Sequence, residues 1–300
     1  MTLEIKNVRV NLDNGGEGGS DDTHTIPFVS LNDPELRRDF RAVAASTKEV
    51  KDGRANLLHI CNECGKTSDS GDKLLKCSRN SSEERDRLPN SRPAHKVVCQ
   101  HSESAEARLI PSFLANTVLN DYLQIILVFV FKLLEEPNPE NPLIAECDVE
   151  LFPADTARQL QLLFSGEKEP ETEGMLQVRG MKSLDSETSI DDVRMALWKS
   201  KKEWYRKQGH PDVHVVLVDF VMRRTKQRST FAVGLLETAF DRIRSGSTLE
   251  MKSSMFGSTF MPLSIAACLD AINTHIRSDK RNQLRLRATL LNWEPHSGTE

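Results

Sequence analysis

The stretch "VHVVLVDFV", residues 213–221, limits the architecture more than any other part of the chain. Its apolar side chains fall on both sides of an extended backbone, with Val215 and Leu217 on one side and Val216, Val218 and Phe220 on the other. A strand of this kind is stable only as a central strand covered on both faces. A second stretch makes a similar demand. "IPSFLANTVLNDYLQIILVFVFKLLEEPNPENP" reads as one long helix stopped by Pro137, and its far half is apolar on every side, so it too must be buried.

The remaining pattern supplies the covering layers. "LIAECDVELF" reads as a strand and "ADTARQLQLLFSG" as a short helix ending at Gly166. The acidic loop "EKEPETEG" precedes a strand in "MLQVRG". Ser189, followed by Asp191 and Asp192, opens a helix in which Val193, Ala196, Leu197 and Trp204 share a face, and Gly209 with Pro211 closes it. "RRTKQR" joins the central strand to "TFAVGLL" as a hairpin. Pro262 opens a last helix with Ile265, Leu269, Ile272 and Ile276 in a stripe. "NQLRLRATLL" then alternates Leu284, Leu286, Ala288 and Leu290 inward with arginines outward. Strands and helices mixed without regular βα repetition predict an α+β domain over about 105–294. At 300 residues with 38 % apolar composition, the chain can bury such a core. Ahead of the domain, residues 1–56 carry a strand-like "LEIKNVRVNL", a polar loop and a helix opened by Asp33 and Pro34, and are expected to be partly disordered. Residues 295–300 are expected to be a disordered tail.

The formal charge of −4 lowers the prior for a protein that binds nucleic acid through its overall charge. No signal peptide opens the chain. The longest apolar run, Ile125–Phe131, is far short of the roughly 20 residues that span a bilayer. The expected setting is intracellular, cytoplasmic or nuclear. In that reducing environment six cysteines do not read as a disulfide framework, and four of them crowd into residues 61–99.

That cluster has metal-ligand spacing. Cys61 and Cys64 form a Cys-x2-Cys turn that brings two sulfurs to one ion, and Gly65 lets the backbone curl beneath them. His95 and Cys99, four residues apart, fall on one face of a helical turn. Cys77 lies between the pairs. "CNECGKTSDSGDKLLKCSRN" and "PAHKVVC" resemble the two ends of the MYND-type zinc finger. The resemblance covers about forty residues within a segment 57–101 and implies a small metal-bound module that binds short proline-containing peptides. The region that follows resembles an uncharacterised C-terminal region of fungal MYND proteins, through "CLDAINTHIRSDKRNQLRLR".

The departures from the pattern define the expectation further. Asn80 stands in place of the fourth cysteine, nothing in "SSEERDRLPNS" replaces the fifth and sixth, and Arg92 occupies the tryptophan position. Under the family's cross-brace, one site keeps Cys61 and Cys64, and the other keeps Cys77, His95 and Cys99. Two readings therefore stand. One is a crippled finger with weak or no affinity; the other is a rearranged single zinc site drawn from Cys61, Cys64, Cys77, His95 and Cys99. His59 and His101 lie within reach as substitutes, with solvated loop histidines as the simpler reading.

Elsewhere the sequence offers little chemistry. No HExxH, phosphate-binding GxxxxGK[ST], GxGxxG or GxSxG occurs, and no cofactor motif of the SET-domain methyltransferases accompanies the finger. Cys147 and Cys268 read as buried core thiols, and His210 and His214 as residues flanking a strand. "RRTKQR" and the group Arg277, Lys280, Arg281, Arg285 and Arg287 read more simply as solvated faces than as a phosphate-binding patch. The expected function is a non-enzymatic, zinc-binding interaction module with a protein or peptide partner and no membrane. An enzyme with an unfamiliar site in the α+β domain, or nucleic-acid binding through local basic patches, ranks behind it.

Overall fold

The structure is a computed structural model. It describes residues 108–291 apart from 137–140, 166–170, 187–189, 225–226 and 254–256, together with Ser46, Lys48, Glu49, Lys51 and Arg54. The readings on the N-terminal strand and helix, on the finger segment and on the tail lie outside the described residues. At Ser46 and Glu49 a reciprocal capping box is formed: Ser46 N–H donates to Glu49 Oε2 at 2.6 Å, and Glu49 N–H donates to Ser46 Oγ at 3.2 Å.

From residue 108 onward the chain is an α+β fold. In order, its elements are α1 (Ile110–Leu114), α2 (Thr117–Val130), β1 (Leu143–Pro153), α3 (Thr156–Ser165), β2 (Glu171–Leu184), α4 (Asp192–Lys207), β3 (His214–Met222), β4 (Arg228–Leu235), α5 (Glu237–Arg244), β5 (Thr248–Ser253), β6 (Gly257–Pro262), α6 (Ile265–Ser278) and β7 (Arg287–Leu291). Five strands form one mixed sheet in the order β4-β3-β1-β2-β7, while β5 and β6 form a separate hairpin. Only β1 and β3 run parallel; the other pairs are antiparallel. The "VHVVLVDFV" stretch is β3, interior to the sheet and covered on both faces, as its composition requires.

Period-two alternation sorts the strands between two unequal faces. Ala145, Cys147 and Val149 of β1, Val216, Val218 and Phe220 of β3, and Phe231 and Val233 of β4 join the main core. Against them pack α1, α2, α5 and α6. Phe220 sits at the centre, edge-on to Phe113 at 6.0 Å and to Phe231 at 5.8 Å. On the opposite face Ile144, Val215, Leu217 and Ala232 meet Leu197 and Trp198 of α4 in a much smaller core.

Several elements differ from the sequence reading for local reasons. The long helix is interrupted at Asn116, whose backbone is extended (φ −84°, ψ 115°) and whose Oδ1 accepts the Leu119 N–H at 3.1 Å, so it caps a new helix, α2. That helix ends well before Pro137, with Lys132 in the left-handed region (φ 50°). The cap of α4 is Asp191, accepting from Arg194 N–H at 2.8 Å. Its buried face runs through Leu197, Trp198 and Lys201 rather than through Ala196 and Trp204. Pro262 closes β6, and Ser264 caps α6. The helix α5 and the hairpin β5–β6 were not anticipated.

The docking of α6 rests on a bulge. Asp148 pairs with Gly180 and Val149 with Val178, so Arg179 is an extra residue in β2. Asn273 of α6 satisfies the backbone there: its Oδ1 accepts Val178 N–H at 2.8 Å and its Nδ2 donates to Val178 carbonyl at 2.7 Å. One side chain thereby ties the helix to the sheet.

Candidate functional site

The thinner face of the sheet holds the densest polar arrangement among the described residues. Register places Lys182, Glu146, Asp219 and Thr230 in one row across β2, β1, β3 and β4. Beside it lies the apolar row of Leu184, Ile144, Leu217 and Ala232, so charge begins where the cover of α4 gives way. Asp219 is only 1 % exposed, and a carboxylate so placed requires partners. It has three. Thr230 Oγ1 donates to its Oδ1 at 2.6 Å, Arg194 Nη2 donates to its Oδ2 at 2.8 Å, and Arg228 Nη1 lies 3.5 Å from Oδ2.

Arg228 also reaches Glu146 Oε2 at 2.9 Å, and Lys182 Nζ reaches Glu146 Oε1 at 2.8 Å. Burial works against the charge of Arg194, but its bonds to Asp219 and Asp191 outweigh that effect and hold its pKa above the ordinary value. The hydrogen bond that Lys182 donates to Glu146 likewise raises the Lys182 pKa. Each acid in the row is thus matched by a cation. The arrangement is built to hold β1, β3, β4 and α4 together, and it offers no idle carboxylate as a general base.

From Trp198 onward α4 has a different character. Trp198 is buried and donates from Nε1 to the Val215 carbonyl at 2.8 Å, while Lys202 lies 5.0 Å over its ring. Lys201, 7 % exposed, sits 4.3 Å over Trp204 and 5.1 Å over Tyr205, and burial lowers its pKa. Tyr205 lies against β4 at Gly234, where an added Cβ would stand 2.2 Å from the phenol oxygen. Only glycine leaves room for the ring.

Of the residues anticipated from sequence, Cys61, Cys64, Cys77, His95 and Cys99 lie outside the described residues. Among the described residues, no group of three or more His, Cys, Asp or Glu side chains is placed to hold a metal ion. Cys147 and Cys268 are both fully buried, and burial pushes each thiol up, Cys268 to about 12, so neither is a ready nucleophile or thiolate ligand. His210 lies in the turn after α4, and His214 opens β3 with its ring 5.4 Å from Phe240. The outward arginines of the C-terminal strand need correction: Arg287 donates to Glu173 Oε2 at 2.7 Å and to the Asp279 carbonyl, with its side chain 7 % exposed. Arg277 reaches Gln177 Oε1 at 3.2 Å. These two cations belong to the framework.

A family model described as "Domain of unknown function (DUF8205)" matches residues 102–294, well over half of the chain. The chain belongs to the DUF8205 family. No curated protein and no solved structure matches it. The DUF8205 domain therefore contains the whole sheet, the charged row and α4, and its match begins three residues after Cys99. No helix among its described residues is long and apolar enough to cross a membrane. The row centred on Asp219 was missed in the sequence, although a signal was present: a single aspartate inside an otherwise apolar strand.

Proposed function

We propose that the chain is a zinc-binding interaction protein in which a MYND-like finger over residues 57–101, attached in sequence to the DUF8205 domain, binds a peptide. The observation that carries the proposal is ligand spacing: Cys61-x2-Cys64 at one end and His95-x3-Cys99 at the other, with Cys77 between them. Thiolates and an imidazole are the donor set that zinc favours, and these residues supply enough for one tetrahedral ion. The two remaining cysteines, Cys147 and Cys268, are core thiols of the sheet and of α6, which leaves the four cysteines of residues 61–99 as the candidate zinc thiolates. The partner implied is a short peptide, proline-containing if the family's habit holds for this chain. The domain serves as a folded support, since the charges on its thinner face are tied into mutual pairs.

Metal analysis of the full chain tests this. The expected result is about one zinc per chain, lost in Cys99→Ala while the thermal melting of the domain is unchanged. Zinc-free wild-type protein, or full zinc retained in both Cys99→Ala and Cys61→Ala, overturns it.

A further inference from the structure

The charge of α4 is opposite in sign to that of the chain. Residues 199–207, "KSKKEWYRK", hold five cations and one carboxylate in a protein whose formal charge is −4. Because α4 lies on β3 and β4 through Leu197 and Trp198, its far side points away from the sheet, and Lys199, Arg206 and Lys207 are exposed there. We propose that this outer face of α4 binds an acidic peptide segment of a partner protein. It is a second interaction surface, separate in the chain from the finger and independent of metal.

Three observations select that occupant. First, helix-dipole compensation favours cations in the last turn and so explains Arg206 and Lys207, and Lys202 packs over Trp198, but neither effect accounts for Lys199, which is exposed in mid-helix. Second, Lys199, Lys202 and Arg206 recur at spacings of three and four and form one stripe. At 1.5 Å per residue the stripe is roughly 10 Å long, the reach of three or four residues of extended peptide. A nucleic-acid site drawing its affinity from phosphates uses about 6–10 contacts, more than this stripe provides. Third, the aromatic faces needed for base stacking are already taken. Lys202 lies over Trp198, Lys201 lies over Trp204 and Tyr205, and those two rings meet edge to face at 4.8 Å. What remains outward is cationic on balance: Lys199 and Lys207 stand exposed beside the Arg206–Glu203 pair.

The test is fluorescence anisotropy of a fluorescein-labelled octaglutamate titrated with the full-length chain. Binding is expected at low salt and is expected to weaken as salt rises. The variant Lys199→Glu/Arg206→Glu/Lys207→Glu should bind about tenfold or more weakly, and Lys280→Glu/Arg281→Glu, on a different exposed basic turn, should match wild type. Circular dichroism verifies that each variant is folded. If the charge-reversed protein fails that check, Lys199→Gln/Arg206→Gln/Lys207→Gln takes its place, with a smaller loss expected. Equal binding by the folded α4 variant, no binding by wild type, or tighter binding of duplex DNA of matched charge overturns the proposal. Repeating the titration after zinc chelation separates this surface from the finger: unchanged affinity supports it, and lost affinity overturns it.

Discussion

Phe220 and Asp219 are neighbours on β3, yet they point into opposite environments. Phe220 faces the side where four helices build the main core, and it is fully buried among apolar rings. Asp219 faces the side where one helix covers part of the sheet, and it is equally buried among cations and a hydroxyl. Burial is the same for both, but the physics differs. The first residue is held by removal from water, whereas the second stays buried only because its charge is answered on every side. The thick face is held by apolar burial, and the thin face by charges paired across β1, β2, β3, β4 and α4.

The largest expected effect separates the faces directly. Phe220→Ala should cost about 4 kcal/mol through lost transfer energy and a cavity among Phe113, Phe231 and their neighbours, read by denaturant unfolding. Asp219→Ala should cost about 3 kcal/mol for a different reason, since Arg194, Arg228 and Thr230 would all lose the carboxylate they share. Adding Arg194→Met should recover part of the second loss and none of the first. If the double variant is no more stable than Asp219→Ala alone, the row is not the cooperative unit described above.

Legibility followed the same division. The thick face was open to sequence reading because its rule is simple: Val216, Val218 and Phe220, or Ile272 and Ile276, repeat at the period of their element. The thin face was not, because its pairs join residues far apart in the chain. Nothing local in "MRRTKQR" states that Arg228 bridges Glu146 and Asp219, or that Arg287 turns inward to Glu173. The split of the long helix at Asn116 had a local signal, a capping side chain three residues before Leu119, but the apolar run beyond it suggested continuity. The hairpin β5–β6 had a short signal in β5, where Leu249 and Met251 alternate with Thr248, Glu250 and Lys252, but β6 does not continue it. The finger residues were legible as a spacing, and their arrangement lies beyond the described residues.

A third prediction concerns a titratable group on the thick side. His275 of α6 is 2 % exposed, 6.5 Å from the ring of Tyr122, and burial lowers its pKa to about 4. Between an unfolded value near 6.5 and that folded value, the unfolded chain binds the proton and the native state does not. Stability should therefore fall as pH drops through this window, by about 1.4 kcal/mol per unit where the difference is complete and about 3 kcal/mol in all. Asp121 and Asp279, whose carboxyls burial raises, act in the opposite sense at the acidic end. The measurement is the difference in unfolding free energy between wild type and His275→Gln at pH 7 and pH 4.5. If the difference does not change with pH, the neutral buried imidazole is ruled out as the cause.

The smallest effect tests whether the thick face also depends on a polar joint. Asn273 makes two bonds to the backbone of Val178, where the bulge at Arg179 interrupts the ladder between β1 and β2. Asn273→Ala removes both and leaves one buried N–H and one carbonyl unanswered, at a cost of about 1–3 kcal/mol. Asn273→Asp should keep the bond accepted from Val178 N–H but set a carboxylate oxygen against the Val178 carbonyl, so it should not restore stability. Hydrogen exchange at Val178 locates the effect: its amide should exchange faster in Asn273→Ala, while amides of β3 keep their protection. Equal loss across β3 would mean that Asn273 acts through global packing, and the contrast between a face held by apolar burial and a face held by paired charges would then be the sharper for it.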